Sequence, residues 1–156
     1  MSRVISLFVA IVISLAGSAA MASEHSSAKD AEAFLGKAIE KIKQDGPDKA
    51  FIAFNSRDGG FVEKELYVFV FDMDGMYQAS GFNPNLTGSN AQDLRDVNGK
   101  YIVQEMLSLA KTSGGGWIDY AWVNPVSGKL EHKHSLVRVV DGYMVGVGYY
   151  TQDHPK

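Results

Sequence analysis

The spacing of apolar residues predicts three helices. From Asp30 onward, apolar residues recur every three to four positions as far as Gly46-Pro47, which predicts an amphipathic helix with Asp30 as its N-cap. A second, short helix is predicted over DKAFIAFNS, where Phe51 and Phe54 lie one turn apart. The segment DVNGKYIVQEMLSLAKTSGGG predicts a third helix that ends at three glycines. Its apolar side carries Ile102, Met106, Leu109 and Ala110.

The remaining apolar segments predict five strands. Leu66 to Phe71 is apolar at every position, which indicates a strand covered on both faces, and Met76 to Ser80 returns beside it. Three further strands are predicted in GWIDYAWV, KLEHKHSLVRVV and YMVGVGYYT. The third helix lies in a crossover after the first two strands, and short turns join the last three, so the chain favours an antiparallel sheet with helices packed against it, which is an α+β fold.

The first 22 residues differ from the rest of the chain. Arg3 precedes the apolar stretch VISLFVAIVISLAG, and Ala20 and Ala22 supply the small residues of a cleavage site, so residues 1–22 are expected to form a secretory signal peptide. A membrane anchor is the alternative, although this stretch is shorter than the roughly 20 residues that a bilayer span needs. Residues 23–29 are expected to be a flexible start, and residues 30–156 a single domain.

Composition excludes some kinds of chemistry. The 156 residues include no cysteine, which rules out a thiolate nucleophile and a cysteine metal site. A net charge of −3 does not favour nucleic acid as a partner. An exported protein without cysteine is expected in a bacterial periplasm. His132 and His134 alternate on one predicted strand and could bind Zn²⁺, Ni²⁺ or Cu²⁺ if a third ligand arrives, but we expect surface imidazoles and assign no metal and no cofactor.

The motif FDMDG has two interpretations. A strand followed by DxDG is how a Mg-dependent aspartyl-phosphatase presents a nucleophile and a general acid, here Asp72 and Asp74. Asp-Gly between two apolar runs also predicts a hairpin turn. The phosphatase needs a parallel sheet, whereas here the next strand follows at once, and Met76 stands where that family usually has Thr or Val. We therefore predict a hairpin and keep the phosphatase as an alternative.

Several separated motifs between Leu66 and Tyr150 resemble one family. They are LYVFVFDMDG, FNPNLTGSN, DLRDVNGKYIVQEM, GWIDYAWVNPVSGK and DGYMVGVGYY, and in this order they are similar to the type 2 single Cache domains, which are extracellular small-molecule sensors. The resemblance implies a PAS-like fold with a long N-terminal helix across a five-stranded antiparallel sheet. It also implies a pocket between the sheet and a helix-and-loop layer. In relatives this module is usually the outer part of a chemoreceptor or histidine kinase and often binds small carboxylates.

The resemblance also points to candidate ligand-binding residues. A pocket for a small organic anion needs apolar walls and a few fixed donors. Lys133 matches a family lysine, and Arg95 stands where a lysine is common. The other candidates are Ser80, Trp117, Tyr120 and Trp122. Alternation along the strand directs Tyr120 and Trp122 to one face and Trp117 to the other, so at least one of these rings belongs to the core.

Two positions depart from the family pattern. Ser80 stands where the family often has histidine, and Leu136 where it commonly has tyrosine. Both differences remove polar contacts, so the ligand is expected to differ from the usual carboxylates, or the pocket to be smaller or unused. Gly146 and Gly148 share a face of the last strand, where a helix or a ligand is expected to approach closely.

The expected function is non-enzymatic binding or sensing of a small carboxylate or similar polar metabolite. The sequence ends a few residues after the last predicted strand, so a separate partner, such as a membrane receptor or sensor kinase, is expected to carry the signal. The alternatives are the phosphatase and a ligand-free accessory protein of a membrane receptor. A homodimer formed through the N-terminal helix would be the first sign of the accessory protein.

Overall fold

The computed structural model describes residues 25–152, so the expected signal peptide lies outside the described residues. The helices are α1 (Ala28–Asp45), α2 (Pro47–Phe54) and α3 (Ile102–Ser113). The strands are β1 (Val62–Glu63), β2 (Leu66–Asp72), β3 (Tyr77–Ser80), β4 (Gly115–Val123), β5 (Leu130–Val140) and β6 (Tyr143–Thr151). Short 3₁₀ turns cover Arg57–Gly59 and Pro84–Leu86. Within the described range, no helix combines the length and the apolar character needed to cross a bilayer.

The N-terminus of α1 differs from the prediction. Ser27, not Asp30, is the N-cap: its hydroxyl accepts a hydrogen bond from the Asp30 N–H (3.2 Å), and the Asp30 carboxylate accepts one from the Ser27 N–H (2.8 Å). This reciprocal pair is a capping box, which uses both residues. The helix therefore begins at Ala28, inside the segment expected to be flexible. The predicted stop is confirmed, because Gly46 ends α1 and Pro47 begins α2.

The predicted antiparallel sheet is confirmed, with one additional strand. The order is β1-β2-β6-β5-β4, and β3 pairs with the same strand β2 as β1 does. All recorded strand pairs are antiparallel. The extra strand, β1, has two residues, which is too short to show alternation in the sequence. Only the first of the three glycines, Gly114, caps α3; Gly115 and Gly116 already belong to β4.

The strand β2 contributes side chains to two hydrophobic cores, one on each face of the sheet. Its residues are buried from Leu66 to Phe71, as its apolar sequence predicts. Leu66, Val68 and Val70 pack with the core under α1 and α2. Tyr67, Phe69 and Phe71 pack with the core under α3. The strand β2 therefore presents an aliphatic face toward α1 and α2 and an aromatic face toward α3.

The motif FDMDG forms the hairpin between β2 and β3, as predicted. The carboxylate of Asp72 accepts hydrogen bonds from the backbone N–H groups of Asp74 (3.0 Å) and Met76 (2.9 Å) and from the side-chain amide of Gln78 (2.9 Å). Gly75 adopts φ 79°, which a residue with a side chain rarely adopts. Asp72 therefore stabilises the turn, and the antiparallel pairing of β2 does not support the phosphatase alternative.

Residues 81–101, called the crossover segment below, connect β3 to α3 over the aromatic face. The carboxylate of Asp96 fixes the segment to β4, because it accepts a hydrogen bond from the Ala121 N–H (3.2 Å). Lys100 adds a second attachment by donating to the backbone carbonyl of Asp119 (2.7 Å). Burial alone would raise the pKa of Asp96, but its backbone N–H donors hold that pKa below the ordinary value.

Candidate ligand-binding site

A small cavity lies between the aromatic face of the sheet and the layer formed by α3 and the crossover segment. Its volume is about 30 Å³, which leaves room for about two water molecules. The lining residues are Tyr67, Phe69, Phe71, Tyr77, Ser80, Phe82, Leu86, Leu94, Ile102, Val103, Met106, Tyr120, Trp122 and Lys133. The walls are therefore apolar or aromatic apart from a few hydroxyl groups and one amine.

The side chain of Lys133 crosses the sheet to reach this cavity. It starts on β5, is 1% exposed, and donates from Nζ to the hydroxyl of Tyr67 on β2 at 2.7 Å. On the intervening strand β6 it passes Gly148, where an added Cβ would lie 2.5 Å from Lys133 Cε. Gly148 is therefore needed for this path. The close approach predicted there is made by a lysine side chain, not by a helix or a ligand.

A series of hydroxyl groups continues from the amine. The Tyr67 hydroxyl lies 3.5 Å from that of Tyr150, which donates to the backbone carbonyl of Val123 at 3.2 Å. Burial raises the pKa of Tyr67 and of Tyr150, so both phenols are neutral and keep their protons. Because Tyr67 can donate to Tyr150, its oxygen is free to accept from Lys133. This series engages one of the three ammonium hydrogens of Lys133.

The amine of Lys133 has aromatic neighbours and no ionic partner among the described residues. It lies 3.9 Å from the ring centroid of Tyr67, 5.3 Å from that of Phe69 and 5.2 Å from that of Tyr150. None of the ion pairs within residues 25–152 includes it. Burial lowers the pKa of Lys133 well below its ordinary value, because the charged form loses its hydration. An anion in the cavity would supply the missing countercharge.

Four of the six candidate residues line the cavity: Lys133, Tyr120, Trp122 and Ser80. The Tyr120 hydroxyl lies 2.9 Å from the Ser135 hydroxyl, and the Trp122 ring packs edge-on against Tyr120 with centroids 6.1 Å apart. The hydroxyl oxygen of Ser80 accepts a hydrogen bond from the backbone of the crossover segment (3.2 Å), and its proton can still be donated.

The other two candidates, Trp117 and Arg95, lie outside the cavity. Trp117 is on the opposite face of β4, is 40% exposed and packs edge-on against Tyr149. Arg95 is exposed on the crossover segment, where its guanidinium stacks 3.8 Å from the ring centroid of Tyr101 and hydrogen-bonds to the hydroxyl of that residue. Strand alternation predicts the position of Trp117 correctly. In contrast, nothing in the sequence indicates that Lys133 lines the cavity and that Arg95 lies outside it.

The aromatic floor of the cavity was not among the predicted site residues. Tyr67 and Phe69 alternate along β2 within a segment that is apolar throughout, so the sequence does not indicate which of its faces lines a cavity. Gly146 on β6 could have indicated which face of β2 lines the cavity. A Cβ at Gly146 would lie 2.2 Å from the Phe69 ring, so the two alternating glycines of β6 mark the positions where side chains of neighbouring strands cross it.

A buried pocket between an antiparallel sheet and a helix-and-loop layer defines the class of PAS-like small-molecule sensor domains. The chain belongs to the single Cache domain 2 family, whose model matches residues 9–156. The resemblance of the separated motifs to this family is thereby confirmed.

The chain is similar to a sensor histidine kinase and to chemotaxis proteins. It is 35% identical over 92 residues to the sensor histidine kinase MctS of Rhizobium johnstonii, a match that covers 58% of this chain and 20% of that protein. The chain thus spans about a fifth of this curated relative. Its fold is similar to a methyl-accepting chemotaxis protein from Vibrio parahaemolyticus, with a TM-score of 0.69 and 22% identity over 80% of this chain and 88% of that one. Its fold is also similar to a Cache chemosensory domain whose structure describes carboxylic acid recognition. The TM-score is 0.61, with 21% identity over 79% of this chain and 87% of that one.

Proposed function

We propose that this protein is the non-enzymatic, extracytoplasmic ligand-binding domain of a sensing system and that it binds a small carboxylate in the cavity of Lys133. The observation that carries the proposal is the buried amine, which has apolar surroundings and no ionic partner among residues 25–152. A buried cation is costly unless it is paired. A carboxylate completes the pair and accepts the remaining ammonium hydrogens.

The size of the cavity limits the ligand. A volume of about 30 Å³ and a lining of packed aromatic rings favour a carboxylate of two or three carbon atoms over a larger one. Ser80 and Tyr120 supply hydroxyl groups to the cavity lining, so the second carboxylate oxygen or a substituent next to it has a neutral donor available. The carbon chain would contact the rings of Phe69 and Trp122, which favours a short apolar tail.

The crossover segment is the part of the domain best placed to respond to the ligand. It covers the cavity with Phe82, Leu86 and Leu94 and is tied to β4 through Asp96. A ligand that pairs with Lys133 would contact the cavity side of this segment and stabilise the conformation in which the segment covers the cavity. The partner that reads this change is proposed to be a membrane receptor or a sensor kinase, as in the sensor proteins to which the chain is similar. The proposed location is the periplasm, with residues 1–22 acting as the export signal.

A thermal-shift screen with matched ligand pairs tests the proposal. Purified protein is melted with carboxylates of two to six carbon atoms and with the neutral amide of each acid. A ligand present at about 100 times its Kd adds about 2.7 kcal/mol to the free energy of unfolding, which raises Tm by several degrees. We expect acetate, propionate or a related short carboxylate to stabilise the protein and its amide to have no effect. No stabilisation by any carboxylate would contradict the proposal and favour the ligand-free accessory protein.

A further inference from the structure

A second cluster of ligating side chains lies on the outer face of β4 and β5, opposite the cavity. His132 and His134 alternate with Lys133, and Asp119 lies directly across from His134 in the strand register. One donor atom from each of these three residues lies within 4.8 Å of the other two. The pairing of the two strands thus brings a carboxylate to the histidine pair, which is the third ligand that such a pair requires.

We propose that Asp119, His132 and His134 form a zinc-binding site. Two imidazoles and one carboxylate are a ligand set that Zn²⁺ binds with tetrahedral geometry, at about 2.0 to 2.2 Å from each donor atom. Donor atoms within 4.8 Å of one another need only small side-chain rotations to reach this geometry. The Asp119 side chain is 57% exposed, so a fourth position stays open to water.

The surroundings of His134 fix its ring in a position suited to a metal ligand. Its Nδ1 lies 2.6 Å from the Asp119 carboxylate, and its Nε2 lies 3.1 Å from the hydroxyl of Thr151. The ring is stacked between those of His132 and Tyr149, at centroid distances of 4.5 and 4.8 Å. Zinc would lie between Nδ1 and the Asp119 carboxylate, while Thr151, which can accept or donate, would hold the other nitrogen.

Lys100, a cation beside this cluster, contacts the backbone of Asp119 and not its carboxylate. Lys100 donates to the backbone carbonyl of Asp119, and its charge is paired with Glu105 at 3.2 Å. The zinc site is also separate from the cavity, because Tyr120 and Lys133 point to the other face of the same strands. Zinc binding is therefore expected whether or not the cavity accepts a carboxylate.

Calorimetric titration of the untagged protein with ZnCl₂ tests this site. We expect one zinc ion per chain, with affinity reduced about tenfold or more in His134→Ala and in Asp119→Asn. The Asp119→Asn variant keeps the shape of the side chain and removes only the charge, so it guards against a folding defect in the histidine variant. His25→Ala is the matched control, because His25 lies beside Glu65 and outside the cluster, and its affinity is expected to stay within about twofold.

The visible spectrum of the Co²⁺-substituted protein gives a second readout. Four-coordinate Co²⁺ absorbs much more strongly in the visible range than six-coordinate Co²⁺, so intense bands are expected in the parent protein and in His25→Ala but not in His132→Ala. No zinc binding by the parent protein, or equal affinity in the parent and in the His134→Ala and Asp119→Asn variants, would overturn the proposal.

Discussion

Lys133 and Arg95 are both cations held against a tyrosine, but in very different surroundings. Each hydrogen-bonds to the tyrosine hydroxyl, and each lies just under 4 Å from the ring centroid. Lys133 is 1% exposed, whereas Arg95 is exposed to solvent. An exposed contact of this kind contributes about 0.5 to 1 kcal/mol, and a desolvated one about 2 kcal/mol or more.

The comparison teaches that burial, and not the local pairing, decides which cation can recognise an anion. Water already solvates the guanidinium of Arg95, so an anion gains little by replacing that water. The amine of Lys133 is buried away from bulk water and donates one hydrogen bond to a protein group, the Tyr67 hydroxyl. An anion at Lys133 would therefore restore an interaction that folding removes. Four predictions test this difference, from the largest expected effect to the smallest.

The first prediction is that Lys133→Met stabilises the ligand-free protein. Methionine has a similar length and no charge, so the variant removes the cost of burying an amine at the expense of one hydrogen bond to Tyr67. A buried, unpaired amine is costly, so we expect the variant to be more stable by about 1 to 4 kcal/mol, the range seen when buried ion pairs are replaced by apolar residues, which would raise Tm by several degrees. Thermal denaturation at neutral pH measures the effect. A fall in Tm of the same size would show that the amine stabilises the empty cavity.

The second prediction concerns the path of the lysine side chain. In Gly148→Ala the new methyl group would lie 2.5 Å from Lys133 Cε and 2.4 Å from Ser135 Oγ, so it should displace the amine. We expect a loss of about 1 to 3 kcal/mol in the free energy of unfolding. Gly36→Ala is the matched control, because a Cβ there meets nothing within 4 Å on the helix surface. Equal stability of the two variants would mean that Lys133 does not need this path.

The third prediction is a pH dependence of stability. Unfolded chains hold the lysine proton up to a pKa of 10.5, whereas burial lowers the pKa of Lys133 in the folded protein. Between these two values the unfolded chain binds more protons, so the free energy of unfolding rises with pH by up to about 1.4 kcal/mol per pH unit. Carboxylate affinity should fall over the same range, because the anion needs the charged amine.

Denaturant titrations at several pH values measure this slope, with Lys133→Met as the reference. The variant lacks the buried amine and should show a smaller rise in stability above neutral pH. The same slope in both proteins would assign the dependence to other groups. Asp96 acts at the opposite end of the pH scale: its pKa is lowered in the fold, so its contribution is present above the ordinary carboxylate pKa and is lost as pH falls through the lowered one.

The fourth and smallest effect is expected for Arg95→Ala. Surface substitutions of this kind usually change stability by less than about 0.5 kcal/mol, and carboxylate affinity should change by less than about twofold. Calorimetry and thermal denaturation measure both quantities. A loss of affinity of about tenfold would place Arg95 in the recognition site after all, through a movement of the crossover segment.

The helices and most strands could be predicted from the sequence, because apolar residues recur with a different spacing in helices and in strands. The apolar spacing after Asp30 and the alternation around Tyr120 both correspond to elements of the structure. The N-cap was wrongly predicted at Asp30, because Ser27 and Asp30 are both suitable cap residues and the capping box uses both. The strand β1 was missed because two residues carry no periodicity.

The site could be predicted only in part, since it depends on contacts between distant strands. Lys133 was identified because it matches a lysine of the family that the chain resembles, but its burial depends on Gly148 and Tyr67, which belong to other strands. The position of Arg95 depends on the path of the crossover segment, which Asp96 fixes through β4. The spacing of residues along the chain predicts which side chains share a face of one strand. It does not predict which strands are neighbours in the sheet.

The most direct test of the central claim is the discrimination between a carboxylate and its amide. Acetate and acetamide have nearly the same shape, so a difference in their affinities reports the charge of the partner. Calorimetric titration should show that the parent protein binds acetate, or the short carboxylate that the screen identifies, about 10 to 150 times more tightly than the amide. Lys133→Met should lose this discrimination while remaining folded. If the variant still prefers the carboxylate by the same factor, Lys133 is not the anion-binding group and the account of the cavity is wrong.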